Sequence, residues 1–300
     1  MGTVLLSKDI RKSFGKKEIL KGVDLEICKG EVCALLGKNG AGKTTFINTT
    51  IGLTFPSGGS VLVYGEKPGV NNKRIGYLSE NITLYPHLSA TDNLKVAAYS
   101  ANQSISQSEI NRILERINLQ DAGRKPTKSF SLGMKRRLQL VMASMVKKVD
   151  FLILDEPTNG LDINGMIWLK QYINELKEKD VSILMASHAI SELADCITNY
   201  VVLDGGVIAK HGIWSKEKEN TSGFEIEVPA DMLAQLKEMV GENYEDLPDR
   251  LDTAIFWKTE KSYKEVCEYL YSRGLIPEKI TERKSSLEEI YLDTVKEKNN

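Results

Sequence analysis

The chain has 300 residues, 41% of them hydrophobic and 27% charged, with a formal net charge of -1. That length fits one large domain plus a small one, and the near-neutral balance removes any global electrostatic case for nucleic acid or acidic lipid as a partner. No apolar run approaches the roughly 18 residues that cross a bilayer. Met1–Ser7 lacks the basic start and apolar core of a leader, and Cys28, Cys33, Cys196 and Cys267 lack metal-ligand spacing, so a cytoplasmic chain with reduced cysteines is expected.

In chain order, Val4–Leu6 and Val23–Ile27 read as strands. Val32–Leu36 is a continuous apolar run ending in glycine, the pattern of a buried parallel strand entering a loop. Ser60–Gly65 reads as a further strand. From about 89 to 148 the period becomes helical: Ser106 and Glu109 form a capping box ahead of Ile110, Ile113, Leu114 and Ile117, and Leu138, Val141, Met142 and Met145 make a second apolar face. Phe151–Leu154 is another short buried strand, followed by a helix over about 164–179 and the strand Ser182–Met185. This alternation predicts an α/β core with a mostly parallel sheet. Beyond residue 215 the composition shifts. The predicted organisation is a domain over 1–215, a linker over 216–222 and a small α+β domain over 223–300. In the last, Phe224–Val228 and Thr253–Trp257 read as strands and Met232–Val240 as a helix; Ser262 with Glu265 and Ser285 with Glu288 mark two further helix starts.

Gly37-Lys38-Asn39-Gly40-Ala41-Gly42-Lys43-Thr44 has the spacing G-x-x-x-x-G-K-[ST], between a predicted strand and a helix. Glycines let the backbone turn its N–H groups inward around phosphate oxygens, and the following helix adds its positive end. Lys43 supplies a charge to the β- and γ-phosphates, Thr44 a hydroxyl to Mg²⁺, and Thr45 reaches a phosphate oxygen. The pattern specifies a nucleoside triphosphate and is shared by several RecA-like, kinase and GTPase machines; no guanine-reading N-K-x-D element is evident. Asp155 and Glu156 close the apolar run from Phe151. At the carboxyl end of a parallel strand, Asp155 suits holding Mg²⁺ through its water shell, and Glu156 suits orienting and activating the attacking water as general base.

Between these motifs lies Phe130-Ser131-Leu132-Gly133-Met134-Lys135-Arg136-Arg137. Here the chain resembles the ABC (ATP-binding cassette) ATPases, whose signature is L-S-G-G-Q followed by basic residues; Ser131 and Gly133 fall on its serine and second glycine. Phe14 sits at the family's adenine-stacking aromatic, Tyr77-Leu78-Ser79-Glu80 at its Q-loop, Asn159-Gly160-Leu161-Asp162 at its D-loop and Ser187-His188 at its switch histidine. The resemblance covers roughly residues 4–213.

The resemblance implies a P-loop NTPase fold: a RecA-like α/β core, an antiparallel β-subdomain and a helical insertion near 85–145, with the C-terminal α+β domain appended. It implies an ATPase using ATP and Mg²⁺, with Glu80 near the metal and His188 bonding the γ-phosphate and the attacking water. Two copies, or a copy and a similar ATPase, would close head to tail, each site joining one chain's phosphate loop to the other's Ser131, and Gly133 and Asp162 are further nucleotide-binding positions. The motor would sit on the inner membrane face through a separate permease, with no nucleic acid as partner. Two positions depart from the pattern: Glu80 replaces the common Gln, and Leu132 replaces a signature glycine. Ser-Leu-Gly-Met-Lys and the C-terminal extension resemble bacitracin-resistance and lantibiotic-immunity exporters, so export of a peptide antibiotic, drug or lipid-like compound is expected. The alternative is a soluble ABC ATPase acting on ribosome or DNA, which a single cassette with a short insertion disfavours.

Overall fold

The computed structural model describes residues 2–69, 74–80, 84–145, 149–187, 190–215, 223–247, 252–259, 261–283 and 286–297. The chain divides into two units, Met1–His211 with Tyr291–Asn300, and Gly212–Ile290. The division falls near residue 212; the expected linker, 216–222, lies outside the described residues.

In the first unit, β1 (Thr3–Phe14) and β2 (Lys17–Cys28) form a long hairpin around a turn at Gly15. Each has 12 residues, far more than the apolar cores at Val4–Leu6 and Val23–Ile27 suggested. The charged extensions take part because only one face is covered, so Ile10, Leu20 and Val23 point inward while Lys8, Lys17 and Lys21 face water. After β3 (Val32–Leu36) and α1 (Lys43–Thr50), β4 (Gly58–Val63) returns to the free edge of β1, giving an antiparallel sheet of order β2-β1-β4.

The larger sheet takes β5 (Ile75–Leu78), β6 (Phe151–Asp155), β7 (Ser182–Ala186), β8 (Asn199–Asp204) and β9 (Val207–Ile213) around β3, in the order β5-β6-β7-β3-β8-β9. The pairs β5–β6, β6–β7, β7–β3 and β3–β8 are parallel. Residues of β3, β6 and β7 are buried throughout, as continuous apolar runs require when both faces are covered. Leu5, Leu20 and Ile27 of the antiparallel sheet share one core with Leu35, Phe46, Phe151 and Ile153. A wholly buried side chain such as Phe46 contributes about 1.5–3 kcal/mol to that core.

Between β5 and β6 lie α2 (Ala90–Ser100), α3 (Gln107–Arg116) and α4 (Leu132–Ser144), with N-caps at Ser89, Ser106 and Ser131. The Ser106–Glu109 capping box forms in full. Helix α5 (Ile163–Glu178), capped by Asp162, joins β6 to β7.

The second unit runs β10 (Gly223–Glu227), α6 (Leu233–Val240), β11 (Tyr244–Asp246), β12 (Ala254–Lys258), α7 (Tyr263–Tyr271) and β13 (Lys279–Arg283). Its antiparallel sheet has the order β11-β12-β10-β13. A β-α-β-β-α-β chain in that order is the ferredoxin-like split βαβ arrangement. Phe224, Ile226, Ile255 and Trp257 pack with Leu236, Val266 and Leu270 of its helices. The outer strands β11 and β13 were not legible in the sequence: both are short, charged and largely exposed, as edge strands commonly are. Helix α8 (Leu287–Glu297) ends the described chain. Its capping pair is Ser286 with Glu289, where Ser286 Oγ accepts from the Glu289 N–H at 3.0 Å, one residue beyond the expected Ser285 and Glu288. Ser285 lies outside the described residues.

Candidate nucleotide site

The loop between β3 and α1 folds as its glycines require. Gly40 and Gly42 have φ of 83° and 109°, and a Cβ on Gly42 would come 2.9 Å from Leu20 Cδ2. Strain and collision therefore both exclude a side chain at the residue that caps α1. Helix α1 then points its N-terminus at the loop, with Lys43 as its first residue. Lys43 is 7% exposed and its ammonium donates to the Gly37 carbonyl across the loop. Ala41, within the loop, is buried.

Because the strands are parallel, the segments following β3 and β6 leave the same sheet edge, separated by β7. Thr44 Oγ1 donates to Asp155 Oδ2 at 3.2 Å, joining the two segments. Asp155 is buried, and desolvation raises its pKa; Glu156 and Glu80 push the same way, while the Thr44 hydrogen bond and Lys43 oppose them. Burial lowers the pKa of Lys43, and Glu156, Asp155 and Glu80 oppose that shift. Glu156 stands at φ 50°, a left-handed conformation that costs a non-glycine residue about 1–3 kcal/mol. Its N–H donates to the Ala186 carbonyl at 2.7 Å, which holds the turn.

These groups surround a cleft of about 330 Å³, lined by Asn39, Gly40, Gly42, Lys43, Thr44 and Thr45 of the loop and by Glu80, Asp155 and Glu156 opposite. One wall is the glycine loop with Lys43, and the other carries the three carboxylates. Among the described residues no cluster of three or more His, Cys, Asp or Glu forms a metal cage. The hydroxyl of Thr44 against the carboxylate of Asp155 is instead a pair of hard oxygen donors. Such a pair fits Mg²⁺, which keeps water and takes phosphate oxygens for its remaining positions. In that arrangement the ion would draw charge from the phosphates.

Not every expected residue lines the cleft. Phe14, 56% exposed, lies at the end of β1 paired with Lys17, and Lys17 rather than Phe14 reaches the cleft wall. Ser131, Gly133 and Asp162 are not among the lining residues. Ser131 Oγ accepts from the Met134 N–H at 3.2 Å, and Asp162 Oδ1 from the Gly165 N–H at 2.7 Å, so both act here as helix caps. Ser187 is buried at the end of β7, and its hydroxyl lies 3.2 Å from that of Thr158; His188 lies outside the described residues.

Arg136 was not singled out from the sequence, yet it holds the site. It is 4% exposed and donates from Nη2 to the carbonyls of Asp155, at 2.9 Å, and Glu156. Nε donates to the Pro157 carbonyl at 3.3 Å and Nη1 to that of Ser79 at 3.4 Å. The signal was available: Arg136 shares a helical stripe with buried Leu140 and Ala143, and a charge on a buried stripe implies partners. Lys17 and Ile19, also in the cleft wall, carried no such signal, because strand pairing alone brings them there.

Residues 20–159 match the protein-family model described as ABC transporter. The chain is 39% identical over 198 residues to the lantibiotic transport ATP-binding protein SrtF of Streptococcus pyogenes, covering 65% of this chain and 85% of that protein. Along nearly its whole length, 98% of each, it is 30% identical to the ABC transporter ATP-binding protein YcbN of Bacillus subtilis. The bacitracin transport ATP-binding protein BcrA of Enterococcus faecalis is 28% identical, covering 97% of this chain and 96% of that one. A solved ATP-binding subunit of an ABC transporter superposes with a TM-score of 0.64 at 29% identity, covering 71% of this chain and 91% of that one.

Proposed function

The chain belongs to the ATP-binding subunits of ABC transporters, and on that premise we propose that it powers export of a peptide antibiotic or a similar amphiphile through a separate permease. As a member of that family it binds and hydrolyses ATP. In the reading proposed here, Lys43 and the loop amides hold the phosphates, Thr44 and Asp155 hold Mg²⁺, with Glu80 beside them, and Glu156 orients the attacking water and takes its proton. His188 bonds the γ-phosphate, and Phe14 stacks on adenine.

The observation that carries this reading is the split of the motifs. The phosphate loop and the carboxylates share one cleft, while Ser131, Gly133 and Asp162 do not line it. The free amides at the start of α4 would serve the nucleotide of a second copy, so ATP joins two chains and hydrolysis releases them. Among the described residues no helix is long and apolar enough to cross a membrane, which suits a subunit that reaches the inner membrane face through a partner. Relatives named for lantibiotic and bacitracin transport support a peptide-antibiotic cargo.

Glu156→Gln tests the assignment. The variant should retain ATP, run as an ATP-dependent dimer in size exclusion, and turn over about 10²–10⁴-fold more slowly. Near-normal turnover would remove the role given to Glu156, and a monomer under saturating ATP would remove the composite site. Stimulation of the wild type by ribosomes instead of by permease-containing membranes would move the function to translation.

A further inference from the structure

Leu132 stands between Ser131 and Gly133 at the start of α4, where the ABC signature pattern has glycine. Leu132 is 66% exposed, yet its side chain is seated on the turn that follows β6. A Cβ built on Gly160 would lie 2.3 Å from Leu132 Cγ, 2.4 Å from Cδ2 and 3.4 Å from Cβ. The isobutyl group therefore fills the space that a side chain at residue 160 would need. Gly160 itself has φ 80°. A Cβ on Gly133 would meet the Gly160 carbonyl oxygen at 3.4 Å, so the backbones also run close.

The turn is short and closed by two backbone hydrogen bonds. The Asn159 N–H donates to the Glu156 carbonyl at 3.2 Å and the Leu161 N–H to the Thr158 carbonyl at 3.1 Å. It begins at Glu156 and ends at Asp162, the cap of α5. A large residue in place of the signature glycine is thus matched by a missing side chain on the turn of the same chain. We propose that Leu132 and Gly160 are a matched positioning pair. Through them the start of α4, with Ser131, keeps a set register against the turn that carries Glu156 and Asp162. The role rests on the composite-site reading, because Ser131 and Asp162 then act on the partner's nucleotide while Glu156 acts on the chain's own. Rotation of α4 would carry the turn with it.

A double-mutant cycle of Gly160→Ala, Leu132→Ala and both together tests the pair. An alanine at 160 must turn Leu132 out of its seat, whereas alanine at both positions leaves the 3.4 Å contact and the backbone strain of an alanine at φ 80°. Gly160→Ala should lower kcat by about tenfold or more with KM for ATP unchanged, since neither residue lines the cleft. The double variant should recover at least about threefold over Gly160→Ala, the remaining loss being the backbone strain that both variants share. Amide exchange over 156–165 should show the same coupling in the single, nucleotide-free chain, which separates this pair from the composite site. If Gly160→Ala and the double variant are equally impaired in turnover and exchange, strain at residue 160 accounts for the loss and the pair is refuted. A Gly160→Ala variant that behaves as wild type refutes it too.

Discussion

Arg136 offers the sharpest test of how the site is held. Arg136→Met keeps most of the side-chain volume and removes every donor. The guanidinium serves four carbonyls, those of Ser79, Asp155, Glu156 and Pro157. Burial lowers its pKa, opposed by Asp155, Glu80 and Glu156, yet a guanidinium remains charged throughout the working range. The bonds to Asp155 and Glu156 are the strongest, and at roughly 1.5–3 kcal/mol each for a charged donor they put the local loss at about 3–6 kcal/mol. With every 1.4 kcal/mol worth about tenfold, amide protection at the end of β6 should fall by at least a hundredfold, up to the limit set by global unfolding. Hydrogen–deuterium exchange on peptides spanning 151–157 reads this directly, with β1 as the reference segment. Turnover should fall as well, because Glu156 is held at a left-handed φ that the surrounding bonds enforce. Arg136→Lys, which keeps the charge but loses the fork, should lie between. Protection within threefold of wild type in Arg136→Met, with unaltered turnover, would refute the reasoning.

Lys43→Ala should weaken ATP binding by well over tenfold in calorimetry, since a partly desolvated charge facing the phosphates is lost; unchanged affinity would count against the loop assignment. Cys33 is 2% exposed, and burial followed by Glu31 raises its thiol from the ordinary 9.0 to about 12. An aromatic disulfide reagent at pH 8 should therefore label half-buried Cys267 and leave Cys33 untouched until denaturant is added; rapid native labelling of Cys33 would contradict its place in β3. The same shift has a sign in stability. The unfolded chain releases this proton near pH 9 and the native chain only near 12, so the Cys33 contribution is complete below 9 and is lost as pH climbs through that window. Cys33→Ala should flatten the alkaline slope of a urea-midpoint series. Ser262→Ala removes the capping box of α7, in which Ser262 Oγ accepts from the Glu265 N–H and Glu265 Oε2 accepts from the Ser262 N–H. A loss of about 0.5–2 kcal/mol is expected in unfolding of the C-terminal unit followed at Trp257; a change below 0.3 kcal/mol by the same measure would deny the cap its role.

Much of the first unit was legible in the sequence because its signals are local. Val32–Leu36 and Phe151–Leu154 are continuous apolar runs, and a run buried on both faces shows itself without knowledge of its neighbours. The loop at 37–45 and the carboxylates at 155 and 156 are contiguous, so spacing and strand context suffice to pair them with phosphate chemistry. Ser106 and Ser262 announced their helices through capping boxes that close within four residues. Other features have no local signal. The length of β1 and β2 depends on a partner covering one face, and edge strands β11 and β13 look like charged loops until a hydrogen-bonded neighbour is supplied. Lys17 enters the cleft wall only because hairpin register carries it there, and Arg136 reads as one basic residue among three until β6 presents its carbonyls. Leu132 looks like a defect in a motif until the chain brings Gly160 beneath it. Sequence alone determined the chemistry carried by contiguous residues, since backbone conformation and residue type settle it within a few positions. Tertiary structure alone decided which distant residues complete one another, because a vacancy or an unpaired carbonyl acquires its partner only when the chain packs.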